Sequence, residues 1–230
     1  LKQLVIDTAT YSGGAGIFNN YQTLGMFYLN VTQTYSQRLL FQIYSLLESL
    51  NLSLKDLDAV TFSRGPGTFT GLRIGLSTAK TLAFCQNIPL IMPSTLAAYA
   101  WAVSTKGYVA PLLDARKKEV FAALYKNTSH SQQTLINPTV IGLNDFLSML
   151  PRRRHIYFTG PGSIQNNTFI KKQLREYAHF VGEETFLQFI PALAYLGYTH
   201  YQQKDFTDII TGEPLYIRRS DAEIAKDSQS

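Results

Sequence analysis

The stretch from Ser63 to Phe84 restricts the fold more than any other part of this chain: Ser-Arg-Gly-Pro-Gly-Thr-Phe-Thr-Gly-Leu-Arg-Ile-Gly-Leu-Ser-Thr-Ala-Lys-Thr-Leu-Ala-Phe. The apolar run before it, Asp58 to Phe62, reads as a short buried strand. Gly65, Pro66 and Gly67 punctuate a tight turn, because glycine permits positive φ and proline presets one dihedral. Gly67 is expected to hold a backbone conformation that a β-carbon disfavours. Thr68 or Thr70 can cap the helix that follows, in which Leu72, Leu76, Ala79, Leu82 and Ala83 keep a helical period. A strand, a glycine loop and a helix N-terminus together invite anion binding, since free N–H groups and the helix dipole point the same way. Two well-known phosphate loops do not fit. The P-loop needs Gly-Lys-Ser/Thr where this chain has Gly71-Leu72-Arg73, and Gly65, Gly67 and Gly71 are one residue too widely spaced for G-x-G-x-x-G. The residues favour a tight strand-to-helix turn, with Gly71 and Gly75 letting another helix approach closely.

The run Arg64, Gly65, Pro66, Gly67, Thr68, Phe69, Thr70, Gly71, Leu72, Arg73, Ile74, Gly75 resembles the signature of the TsaB (YeaZ) family of bacterial tRNA threonylcarbamoyladenosine biosynthesis proteins. The likeness continues in order through Val5–Thr10, Ser36–Leu40, Pro93–Ala98, Leu113–Arg116 with Glu119 and Val120, and Glu213–Arg218. It is dense from residue 36 to 125 and weak from about 126 to 210. The resemblance implies an α/β chain of the actin-like ATPase fold (ASKHA, sugar kinase/Hsp70-like), with two lobes, each a mixed sheet flanked by helices. The implied lobes are residues 1–105, carrying the association helices, and a smaller lobe, 106–230.

The family's role is implied with the fold. It is that of a non-catalytic partner of the TsaD-type enzyme, required for threonylcarbamoyl transfer to the adenosine adjacent to the anticodon of tRNAs reading codons that start with A. The implied partners are a TsaD-type protein, bound and stabilised through a helical interface, a TsaE-type ATPase, and a second copy of the chain when alone. tRNA is reached indirectly through the complex, with no cofactor, metal or membrane. The implied partner-binding residues are Leu40, Phe41, Tyr44, Leu47, Leu72, Gly75, Leu76 and Ala79, and the structural loop is Arg64, Gly65, Pro66, Gly67, Thr68 and Gly71. Where the family usually has a histidine before the Ser-Gln/Glu-x-Leu stretch, this chain has Tyr35, which is therefore given no role.

Composition bounds the same picture. A chain of 230 residues with 45% hydrophobic and 16% charged residues can bury a sizeable core as one large or two small domains. No apolar run reaches about 18 residues, so no membrane span is expected. The first residues enter a strand-like alternation, not a basic stretch and apolar core, so a cytoplasmic chain is expected. The single cysteine, Cys85, leaves no internal disulfide and is expected to be a buried, inert thiol. The sequons at Asn30, Asn51, Asn127 and Asn167 are then accidents of composition. A net charge of +5 would tolerate RNA nearby. Its densest run, Arg152-Arg153-Arg154-His155, reads more readily as a solvated turn after Pro151 than as a phosphate-reading patch.

Along the chain, Gln3–Asp7 is a strand ending in a carboxylate, followed by a hairpin turn at Ser12-Gly13-Gly14 and strands at Ala15–Asn19 and Leu24–Asn30. Ser36–Asn51 is the clearest helix, with Leu39, Leu40, Ile43, Leu46, Leu47 and Leu50 as its core face and Phe41 and Tyr44 off it. Ile88–Met92 is a strand, and a helix runs from Pro93-Ser94 to about Val103. Lys106-Gly107 marks a boundary. Beyond it come strands Tyr108–Leu113 and Glu119–Tyr125 about the turn Asp114–Lys118, a polar loop Asn127–Gln133, and α/β alternation over Leu143–Leu150, Ile156–Thr159 and Ile170–Tyr177. Pro191–Gln203 is an amphipathic helix, and the tail from Ser220 is polar. No short-period repeat or low-complexity tract is present.

The chemistry permitted by these residues is sparse. In TsaD-type enzymes, the resemblance implies two histidines at i, i+4 on the helix after the fifth strand; Thr95 and Tyr99 stand there, and neither replaces an imidazole ligand. His130, His155, His179 and His200 lie downstream and scattered. The implied second phosphate hairpin, Asp114-Ala-Arg-Lys-Lys118, has no glycine to let phosphate approach. Asp7 and Asp114 are read as fold landmarks capping turns, not as a catalytic pair. The alternative function is an ATP-dependent or protease-like enzyme of the actin-like superfamily acting on its own, although Ser63, Ser94 and Cys85 have no sequence-evident histidine partner.

Overall fold

The computed structural model describes residues 1–30 and 38–217. The expected helix start at Ser36, the position Tyr35, the end of the Glu213–Arg218 stretch and the tail from Ser220 lie outside them. Strands β1 (Lys2–Asp7), β2 (Ser12–Asn19), β3 (Gln22–Asn30), β4 (Ala59–Phe62) and β5 (Leu90–Ile91) form one sheet in the order β3-β2-β1-β4-β5. Strands β6 (Gly107–Asp114), β7 (Glu119–Asn127), β8 (Gln132–Gly142), β9 (Ile156–Thr159) and β10 (Ala178–Phe180) form the other, in the order β10-β9-β6-β7-β8. The two schemes are the same. In each, the first three strands run antiparallel and the last two join parallel to the first.

Parallel joins need crossovers, which the helices supply. The helices are α1 (Leu39–Ser49), α2 (Phe69–Gln86) and α3 (Thr95–Ala102), then α4 (Leu143–Met149), α5 (Pro161–Gln165), α6 (Asn167–Leu174) and α7 (Phe189–Gln202); of these, α3 links the two sheets and α7 follows the last strand. Alternation along the central strands sorts side chains into layers. Leu4 and Ile6 of β1 face α1 and α2, in a core with Leu39, Ile43 and Leu72. Val5 faces the opposite way, into a core that α3 and α7 build between the sheets with Leu96, Val109, Phe189 and Leu193. Ala110 and Leu112 of β6 turn outward to Phe146 and Ile170 of α4 and α6.

Several expectations are corrected. The first bend falls at residues 8–11, and Gly13 and Gly14 are strand residues, Gly14 pairing with Asp7. Glycine here marks close strand approach instead of a turn. Strand β8 was not anticipated, because it opens on the polar residues Gln132, Gln133 and Thr134 and carries Pro138; it is an edge strand, where a missing N–H is tolerated. Cys85 is exposed, since it falls on the outer side of α2. The strands of the first sheet all precede residue 92 and those of the second all follow residue 106, and packing crosses between them. α7 lies on the first sheet, where Gln3 Nε2 of β1 donates to the Ala194 carbonyl (2.9 Å). After it, Thr207 N–H bonds Leu90 O at 2.8 Å and Leu215 N–H bonds Arg64 O at 2.9 Å. Among the described residues, no helix is long and apolar enough to cross a membrane.

Candidate functional site

The glycine loop directs its polar groups inward. Ser63 N–H donates to Ile6 O (3.1 Å), Arg64 N–H to Pro93 O (2.9 Å), Gly65 N–H to Thr95 Oγ1 (2.9 Å) and Thr68 N–H to Ala9 O (2.7 Å). These donors are therefore committed within the fold. Thr68 is the residue before the helix, yet its side chain makes no capping bond, and Thr70 lies exposed inside the first turn. The positive φ belongs to Gly65 (111°), not to Gly67. Gly67 is glycine for another reason: a β-carbon there would lie 2.3 Å from Ala9 O. At Gly75 a β-carbon would meet Thr8 Oγ1 at 2.1 Å and Phe62 at 2.5 Å. The close neighbour is thus the β1–β4 strand ends and not a second helix, and Thr8 Oγ1 donating to Gly71 O (2.7 Å) fixes it.

Two acids end equivalent strands. Asp7, at the end of β1, is 1% exposed and accepts from Ser63 Oγ (2.5 Å) and Ala9 N–H (3.1 Å). Burial pushes its carboxyl up to about 6, against the opposing pull of those two hydrogen bonds. Asp114, at the end of β6, is exposed and accepts from Arg116 N–H at 2.7 Å. Each acid caps the turn after its strand. In the second turn Arg116, Lys117 and Lys118 all take positive φ (60°, 51° and 65°), a backbone that suits glycine but carries long cationic side chains.

Thr95 and Tyr99 are used for packing. Thr95 is fully buried, with its hydroxyl on Gly65, and Tyr99 is 3% exposed, its ring 4.5 Å from that of Phe189. Among the described residues, no three His, Cys, Asp or Glu side chains converge as a metal site. The histidines are not all scattered: His155 Nδ1 and His179 Nε2 lie 2.7 Å apart, and His200 bonds Asp205 at 2.7 Å.

The helices α1 and α2 cover the same sheet face. On α1, Leu39, Ile43 and Leu47 point inward, whereas Leu40, Phe41 and Tyr44 are 44%, 69% and 53% exposed. Leu40 was expected on the core face, but one residue on from Leu39 turns it about 100° away. Of the eight residues expected at a partner surface, Leu47, Leu72, Gly75, Leu76 and Ala79 are instead buried in this chain's own core, because the apolar stripes of both helices rest on the sheet. The outward side of α2 offers Arg73, Ser77, Thr81 and Phe84, the last 67% exposed. Phe84 was not singled out from sequence; its signal is an aromatic off the Leu72-Leu76-Ala79-Ala83 stripe. At the helix start, Arg73 lies over the Phe69 ring (3.8 Å to its centroid) and reaches Tyr216, while Arg64 Nε bonds Glu213 O at 3.3 Å.

A family model described as TsaD: tRNA N6-adenosine threonylcarbamoyltransferase matches residues 22–226. The tRNA threonylcarbamoyladenosine biosynthesis protein TsaB of Bacillus subtilis is 29% identical over 229 residues, covering 96% of this chain and 95% of that protein. Among solved structures, YeaZ from Pseudomonas aeruginosa has a TM-score of 0.78 at 22% identity, covering 94% of this chain and 99% of its own. Lmo2764 of Listeria monocytogenes, described as a candidate N-acetylmannosamine kinase, has a TM-score of 0.53 at 10% identity, covering 88% of this chain and 100% of its own. The fold is the actin-like one, two mixed sheets with helices on their faces.

Proposed function

The chain belongs to the TsaD family, in its TsaB (YeaZ) branch, and on that premise we propose that it is a non-catalytic partner of a TsaD-type enzyme. In this reading it works in the cytoplasm and supports threonylcarbamoyl transfer to the adenosine beside the anticodon of tRNAs reading codons that start with A. It pairs with itself when alone, and a TsaE-type ATPase joins the assembly. The observation that carries the reading is the outward face of α1: Leu40, Phe41 and Tyr44 stay exposed although the helix already buries a full apolar stripe. Exposed apolar groups clustered on one helix face favour a protein partner. The committed hydrogen bonds around Gly65 and Thr95 support a scaffold role, since they leave the loop's polar groups engaged within the chain.

The interface is proposed at Leu40, Phe41 and Tyr44, with Phe84 of α2, underlain by Leu47, Leu72, Gly75, Leu76 and Ala79 as the core that holds both helices in place. Co-expression with the cognate TsaD-type protein followed by size-exclusion chromatography tests this. Wild type should co-elute with the partner, and Phe41→Asp should elute alone as a folded chain. Co-elution of the Asp variant at wild-type yield would remove the interface from α1.

A further inference from the structure

The edge of the second sheet holds a feature that no part of the interface uses. A cavity of about 650 Å³ opens between the end of α4, the turn before β9 and the 3-10 turn Arg175–Tyr177. Arg152, Arg153, Arg154 and Arg175 line it together with Tyr177. The sequence puts only three of these arginines side by side; the fold brings in Arg175 from beyond α6. The segments 151–157 and 170–177 carry six cationic residues, Lys171 and Lys172 included, against the single carboxylate of Glu176. The whole chain has a net charge of +5, so its charge elsewhere is nearly balanced and its excess gathers here. Among the described residues no ion pair joins these arginines to Glu176 or to any other carboxylate, and all four are exposed. Four guanidinium groups without counter-ions repel one another, and an anion with several oxygens relieves that repulsion through paired N–H bonds. One lining ring is aromatic: Tyr177, with the exposed His155 lying against it (5.5 Å between ring centres). Cations beside an accessible ring pair suit a chain of phosphates carrying a flat base at every step, whereas an acidic peptide brings its charges on carboxylates and a ring only where an aromatic residue happens to fall.

We propose that this cavity binds the phosphodiester backbone of single-stranded RNA, with the flanking rings stacking on its bases. This deepens the tRNA reading above and rests on it, adding a direct RNA contact made by the second lobe.

The test is fluorescence polarisation of a labelled oligouridine RNA with the full chain, over a range of salt concentration. Arg152→Gln with Arg175→Gln should weaken binding about tenfold or more and lower the salt slope by about 0.7 per arginine removed. Arg154→Gln should act in the same direction. Lys55→Gln with Lys204→Gln, exposed elsewhere and equal in charge change, should weaken it less than about twofold. The proposal is overturned if the arginine variants bind as wild type does, if the lysine control loses as much, or if polyglutamate displaces the RNA as well as unlabelled RNA does. Co-elution with the TsaD-type protein is read on the same samples. Wild type that co-elutes while the arginines prove silent sinks the RNA site alone; wild type that fails to co-elute sinks the partner reading, and the titration still decides the RNA site.

Discussion

At the scale of single residues, Asp7 and Gly67 carry the sharpest expectations. The Asp7 carboxyl is raised from 3.8 to about 6 by burial. Below pH 3.8 both folded and unfolded chains hold the proton, and burial of the neutral acid is tolerated. As pH rises from 3.8 to 6 the unfolded chain ionises first, so stability falls; above 6 the penalty levels off at about 3 kcal/mol. Asp7→Asn removes this slope, so its stability relative to wild type should rise by about 3 kcal/mol between pH 3.5 and pH 7 in urea titrations. A difference independent of pH would mean that Asp7 takes up its proton in the fold as it does in the unfolded chain. Gly67 tests the loop by shape instead of charge. The added β-carbon of Gly67→Ala would press on the Ala9 carbonyl, which is pinned by Thr68 N–H, so a loss of about 1–3 kcal/mol is expected. Thermal melts matching wild type would show that the loop moves aside. The sequence pointed to this glycine but for the wrong cause. Backbone preference is readable from a residue type, whereas the approach of Ala9 from the bend after β1 is not.

At the scale of elements, α1 and α2 separate two effects that the sequence could not. Period alone locates an apolar stripe and hence a helix, and both helices were legible for that reason. Which stripe meets the sheet and which meets a partner depends on how the helix is rolled, and only the packed fold fixes that. Gly75 therefore changes meaning: with Thr8 and Phe62 against it, Gly75→Leu should break the fold, not the association. Tyr44→Asp should do the opposite, because its ring is half exposed and no core contact is lost. Circular dichroism melts and size-exclusion profiles of the two variants check this. A cooperative, wild-type-like melt for Gly75→Leu, or retained partner binding by Tyr44→Asp, would show that the roll of these helices has been read wrongly. Thr95 and Tyr99 are poor metal ligands by residue type alone, and burial adds what occupies them: the Gly65 N–H and the Phe189 ring.

At the scale of the molecule, both sheets follow one strand scheme, with Asp7 and Asp114 ending the corresponding strands. No sequence repeat marks this duplication, since strand order is a property of pairing and leaves each position free to vary. The return of the chain was not legible in the sequence: α7 looks like any amphipathic helix until Gln3 and Gly197 show which sheet it lies on. That return decides whether the first sheet can stand alone. Residues 1–105 would leave Val5, Phe18, Leu96 and Tyr99 without Phe189, Ile190 and Leu193 over them. Each of those three covering side chains contributes about 1.5–3 kcal/mol when buried, a sum comparable with the about 5–15 kcal/mol that holds a typical domain together. A fragment of residues 1–105 should therefore show no cooperative melt, while the same fragment with residues 186–217 supplied in trans as a peptide should recover one. Cooperative unfolding of residues 1–105 alone, at a temperature near that of the full chain, would show that the first sheet does not depend on α7 and that the two lobes are joined by the linker only.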